Sequence, residues 1–163
     1  MPFYANRIVA EVSPSGVIWF AHSREYRLFR RDLRGDTSIV SSMPGTGMPI
    51  GEAERRSVER ATESRPDLRE AYLDALPARK PVIRHLFEDE EGRVFVVAEL
   101  DGETHLSLDI FDASGVHAAR IGLPRDYAGD GPSPVVSGSE VFLVVRDELD
   151  VESLVRYSIV PTE

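Results

Sequence analysis

One order of elements recurs three times along the chain, and it restricts the fold more than any single residue does. A short apolar run, a glycine-containing turn and a second run of β-branched and aromatic residues appear first as Ile8–Val12, Ser13-Pro14-Ser15-Gly16 and Val17–Ala21. The same order returns as Val82–Phe87, Asp89-Glu90-Glu91-Gly92 and Val94–Ala98, and again as Pro134–Val136, Ser137-Gly138-Ser139 and Val141–Val145. Each of these reads as a β-hairpin. Two more strands follow in the first unit (Tyr26–Arg31 and Thr37–Ser41) and in the second (Leu106–Phe111 and Val116–Ile121), with Asp32-Leu33-Arg34-Gly35 and Asp112-Ala113-Ser114-Gly115 as their turns. The third unit has one more, Leu154–Val160, and no evident fourth strand. Gly92 and Gly138 stand 46 positions apart, within the roughly 40–50 residues of a four-stranded propeller blade. Gly16 and Gly92 stand 76 apart, and the excess of 30 matches an insertion.

Strand composition points the same way. Val94–Ala98 and Val141–Val145 do not alternate apolar with polar residues, so both faces of these strands need cover. A propeller blade, sandwiched between its neighbours around a channel, provides that cover. An antiparallel sandwich also repeats hairpins, but has no reason to repeat one turn at one place. The expectation is therefore an all-β chain of 10 to 12 strands, about three blades of a six-bladed β-propeller in a single domain. Blade 1 is placed at about 6–43, blade 2 at about 81–123 and a partial blade 3 at about 133–161.

The insertion, about 50–76, is helical. Glu52–Ala61 is rich in helix formers and carries no strand signal. Pro66 suits the first position of a second helix, in which Leu68, Ala71, Tyr72 and Leu76 share one face. Pro77 and Pro81 return the chain to strand. The pair of helices is expected as a flap over one rim or the outer edge of blade 1. Gly16, Gly92 and Gly115 are expected in tight turns. Gly92 is read as the least replaceable, Gly92→Val costing about 1–3 kcal/mol if the position needs positive φ.

Three stretches resemble the bacterial six-bladed β-propeller proteins of the NHL/TolB-like group. They are Ser13–Trp19; Phe87–Val96 with Ile110–Gly115; and Arg146–Tyr157, which is similar to the usual ending of such chains. The likeness covers nearly the whole chain and implies the C-terminal half of such a propeller. Relatives in that group are usually about twice as long and are often exported or periplasmic. This N-terminus lacks the basic-then-apolar form of a signal peptide, and the compartment stays open.

The chain carries 28 acidic and 19 basic residues, a net charge of −9, and no cysteine. The field repels nucleic acid, and no Lys/Arg cluster reverses it. Disulfides and thiolate metal sites are excluded. Gly45-Thr46-Gly47-Met48-Pro49-Ile50-Gly51 lacks the third glycine of a dinucleotide fingerprint, and Asp89–Gly92 fits no calcium loop. No cofactor is expected. His22, His85, His105 and His117 are unpaired along the sequence, so a metal site could only be assembled in space. That leaves a metal-dependent hydrolase or lactonase of propeller type as the alternative to the favoured reading, a non-catalytic segment that binds a protein or small ligand. Arg84 and His85 interrupt the strand expected to line the channel and are the candidate contacts for an anionic ligand. Counting suggests a homodimer, three blades from each copy completing a six-bladed ring, with Pro2-Phe3-Tyr4 supplying the strand missing from the partner's last blade.

Overall fold

The protein is described by a computed structural model over residues 4–13, 16–129 and 131–159. Among these residues eleven strands and two helices form. The first sheet is β1 (Ile8–Val12), β2 (Ile18–His22), β3 (Arg27–Arg31) and β4 (Thr37–Ser42). The second is β5 (Ile83–Glu88), β6 (Val94–Ala98), β7 (Ser107–Phe111) and β8 (His117–Gly122). The third has three described strands, β9 (Val135–Ser137), β10 (Glu140–Arg146) and β11 (Glu152–Ser158). Consecutive strands pair antiparallel within each sheet, with no crossover.

Strands β6 and β7 decide how the sheets stack, because every one of their residues is buried. Side chains alternate faces along a strand, and here the alternate residues enter two different cores. Val94, Val96, Ala98 and Phe111 join Trp19, Ala21, Tyr26 and Leu28 of the first sheet. Phe95, Val97, Leu108 and Ile110 join Val136, Val141 and Leu143 of the third. A two-sheet sandwich has one core between its sheets; this stack has two, with the second sheet shared between them. The first strands β1 and β5 also lie against each other. Three sheets packed face to face in this way are blades of a β-propeller.

One turn chemistry is used four times. Asp32, Asp89, Asp112 and Asp147 each accept, at Oδ1, the backbone N–H groups two and four residues ahead, at 2.8–3.1 Å. This Asx geometry brings the fourth residue of the turn to positive φ, namely Gly35, Gly92, Gly115 and, with no glycine available, Asp150. Gly92 fits the expected turn at φ 78°, but a Cβ there would meet only Ala113 at 3.6 Å. At Gly115 (φ 85°) a Cβ would lie 2.7 Å from the Val40 Cβ of the neighbouring blade. Gly115, not Gly92, is therefore the less replaceable of the two, because steric overlap there adds to backbone strain.

Both helices of the insertion form, α1 (Glu52–Ala61) and α2 (Pro66–Asp74), with Glu54 Oε2 accepting the Gly51 backbone N–H at 3.0 Å at the start of α1. In α2 no residue is fully buried, and Ala71 is exposed; Leu68, Tyr72, Leu73 and Leu76 are half-buried. The covered stripe is thus rotated from the predicted one towards Leu73. Pro49 bridges Arg79 to close the base of the insertion. Arg79 and Lys80 tie that base to Asp101 and Glu99 of the β6–β7 connection, so its anchors run to the second blade. No helix among the described residues is long and apolar enough to cross a membrane.

Candidate functional site

Strand β5 begins immediately after the insertion, and its register against β6 slips between Ile83 and His85. The irregularity takes Arg84 out of the regular ladder and leaves its neighbour His85 on the side of the third blade. Each of the two predicted ligand contacts therefore meets a different environment.

Arg84 is part of an alternating chain of charges. Its guanidinium bonds the Glu99 carboxylate through Nε at 2.9 Å and through Nη2. Glu99 also holds Lys80 at 3.1 Å, and Lys80 holds Glu54 of α1 at 2.8 Å. The hydrogen bond from Lys80 keeps the Glu54 carboxyl below its ordinary value. Burial pulls the Lys80 ammonium down, but its bond to Glu54 and the charge of Glu99 reverse that and hold it above its usual value. Arg84 thus has its counter-charge within the fold, and fastens the insertion to the blade.

His85 faces Gly129 and Ser133, which lie between the second blade and β9. Its Nε2 lies 3.2 Å from the Gly129 carbonyl oxygen and its Nδ1 2.9 Å from Ser133 Oγ. A carbonyl only accepts, so Nε2 carries the proton and Nδ1 accepts from the Ser133 hydroxyl. Burial lowers the His85 pKa; the Gly129 carbonyl opposes this, while Arg7 and Arg84 add to it. The folded chain therefore binds a proton at His85 less readily than the unfolded chain does. Stability from this source is complete above the ordinary histidine pKa, about 6.5, and is lost as the pH falls below it. We expect wild type to lose more urea resistance between pH 8 and pH 5 than His85→Gln, which removes this titration. Equal slopes for the two proteins would contradict a neutral, bonded His85.

These groups line an open cleft of about 820 Å³ beside the inner strand, together with Tyr4, Asn6, Arg7 and Ile83. Arg7 is exposed and precedes β1, its backbone fixed by reciprocal bonds with Ser23 at 2.8 Å. One guanidinium N–H reaches the Arg84 carbonyl oxygen at 3.2 Å. Arg7 has no carboxylate partner among the described residues, and none of the described lining residues is acidic. The sequence did not mark Arg7, Gly129 or Ser133. Gly129 carried a usable sign, a glycine where backbone must approach closely; a Cβ there would sit 2.5 Å from Leu106.

The other chemistry-bearing residues are absorbed by the scaffold. Gly47, within the glycine-rich stretch, packs on the stem of the insertion, where a Cβ would lie 1.9 Å from the Lys80 carbonyl oxygen. Asp89 is buried in its own turn against Arg93. Glu88 fastens blade 2 to blade 1 by accepting from Ser13 Oγ at 2.8 Å and Trp19 Nε1 at 2.7 Å. Asp109, fully buried, does so a second time, accepting from Tyr26 Oη of blade 1, from Arg120 at 2.7 and 3.0 Å and from His117 at 3.0 Å. Among the described residues no three of His, Asp, Glu or Cys gather as a metal site.

Fold and cleft together define a segment of β-propeller with a polar cleft along its inner strand. No family model and no curated protein matches the sequence. Among solved structures the chain is similar to selenomethionine-substituted virginiamycin B lyase from Staphylococcus aureus, at 11% identity and a TM-score of 0.46. The match covers 98% of this chain and 43% of that one, so the chain spans less than half the length of that protein.

Proposed function

We propose that this chain is a non-catalytic binding segment of a six-bladed propeller of the NHL/TolB-like kind. Its inner cleft takes a small molecule bearing a carboxylate or phosphate. The observation that carries this reading is Arg7. In a chain of net charge −9, an exposed guanidinium with no carboxylate partner among the described residues borders a cleft of about 820 Å³. A guanidinium offers a planar fork of N–H donors that matches carboxylate and phosphate oxygens. Arg84 contributes its carbonyl, which orients Arg7, and His85 with Ser133 forms the opposite wall. Because His85 is held neutral, the charge of the site resides on Arg7, and affinity should fall as salt rises.

Titration with succinate and with inorganic phosphate, followed by amide chemical shifts, tests this. At least one anion should saturate at millimolar concentration with shifts at Arg7, His85 and Ser133, and Arg7→Gln should weaken it about tenfold or more. Equal responses in wild type and Arg7→Gln, or none in either, would reject the reading.

A further inference from the structure

Blade 2 shows how a sheet of this chain looks with both faces covered, and each outer blade departs from it on one face. In blade 1, Trp19, Ala21 and Leu28 enter the core shared with blade 2. On the reverse face Phe20 and Phe29 stack at 5.1 Å, flanked by Ile8, Val12 and Ile39 at 61%, 65% and 58% exposure. In blade 3, Val141 and Leu143 face blade 2, while Phe142 and Val144 alternate to the outside beside Leu154 at 72% exposure. Apolar residues scattered singly on a surface need no explanation, but aligned along one face of a sheet they mark an interaction surface.

Charge distinguishes the two open faces. Pairing register places Arg27 and Arg31 on the Phe29 side of blade 1. No strand position on that side is acidic, and Glu25 at the rim bonds Arg27 at 3.4 Å, so guanidiniums outnumber carboxylates two to one. On blade 3, Glu140 pairs with Arg156 and Glu152 with Arg146, and Asp150 at the rim also bonds Arg146. Carboxylates there outnumber guanidiniums three to two. Two copies of the blade 1 face set against each other would bring like charges together; the blade 1 face against the blade 3 face does not.

We infer that the occupant of these faces is a second copy of this chain. The open face of blade 1 in one copy packs on the open face of blade 3 in the other, and the contact forms twice about a two-fold axis to close a ring of six blades. The inference rests on the blade stacking and is independent of the cleft ligand. The third sheet leaves the outer edge of β11 free among the described residues, beside an apolar groove of about 440 Å³ lined by Leu108, Ile121, Leu123, Leu143, Tyr157 and Ile159. In the closed ring that edge stands next to the partner's blade 1. Of Pro2-Phe3-Tyr4, the segment expected to pair with it, Pro2 and Phe3 lie outside the described residues, and Tyr4 borders the inner cleft with the Lys80 ammonium 5.9 Å from its ring.

Light scattering on the purified chain at micromolar concentration should give twice the 18.1 kDa of one copy. Ile39→Asp on blade 1 and Leu154→Asp on blade 3 change side chains exposed in a single copy, so circular dichroism should stay that of wild type. Each should weaken the dimer at least about tenfold, because each places an unpaired carboxylate in both of the symmetry-related contacts. The unlike pairing requires that both variants act. A shift with only one of them would mean that a face pairs with its own kind and would overturn the inference. A wild-type monomer, or open-ended growth beyond the dimer, would overturn it equally; the open faces would then belong to a further segment of chain or to another protein.

Discussion

Asp109→Ala should lower the unfolding free energy by about 3 kcal/mol, measured by urea denaturation at neutral pH. The carboxylate is fully buried between blades 1 and 2. It accepts both guanidinium N–H groups of Arg120, the Nε2–H of His117 and the Tyr26 hydroxyl. Removing it leaves the Tyr26 hydroxyl without its acceptor inside a core, and takes from Arg120 one of two carboxylates, since Glu103 at 2.8 Å remains. Arg120 is about one-third exposed, which moderates the loss of charge pairing; the stranded tyrosine is not relieved in the same way. Burial, then the charge and hydrogen bond of Asp109, raise the Tyr26 pKa, so this phenol stays a donor throughout the accessible pH range. Tyr26→Phe should therefore remove one bond to a charged acceptor and cost about 1.5–3 kcal/mol. Because the two changes act on one contact, their effects in the double variant should not add. Additive losses would show that Tyr26 and Asp109 do not depend on each other.

The blades were legible in the sequence because their signals are local. Non-alternating strands such as Val94–Ala98 announce two covered faces, and an aspartate three residues before a glycine announces three of the four Asx turns, the turn at Asp147 ending on Asp150 instead. The helices of the insertion are equally local, with Glu54 three residues beyond Gly51 and Pro66 at the start of α2. What could not be read depends on residues brought together from far apart. Asp109 looks like one polar interruption in an apolar strand until Tyr26, 83 positions away, is placed against it. Arg84 and His85 were found as polar residues on an inner strand, yet their division of labour was hidden, since Glu99 on one side and Gly129 with Ser133 on the other decide it. Arg7 had no pattern at all: it is an arginine ahead of a strand, and the cleft it borders exists only once blades 1, 2 and 3 are side by side.

Phe95→Ala should be at least as damaging as any change in the cleft, lowering stability by about 3–5 kcal/mol. Phe95 is fully buried, stacks on Phe87 at 5.2 Å and lies in the core between blades 2 and 3. Its β6 neighbours Val94 and Val96 belong to the other core, so the strand cannot slide to fill the void without emptying the opposite face. Phe29→Ala is the matched comparison. Phe29 stacks on Phe20 at a similar 5.1 Å, but on the open face of blade 1, half-exposed. In a single copy it should lose only partial burial and one ring contact, about 1 kcal/mol. Urea unfolding of both variants at two protein concentrations separates the roles of the two rings. The Phe95→Ala deficit should be the same at both concentrations, because its core is complete within one chain. The Phe29→Ala deficit should grow with concentration, because association stabilises only the form that retains an intact blade 1 face. A Phe29→Ala deficit as large as that of Phe95→Ala at the lower concentration would mean that blade 1 has cover on both sides within one chain, and would contradict the open face described above.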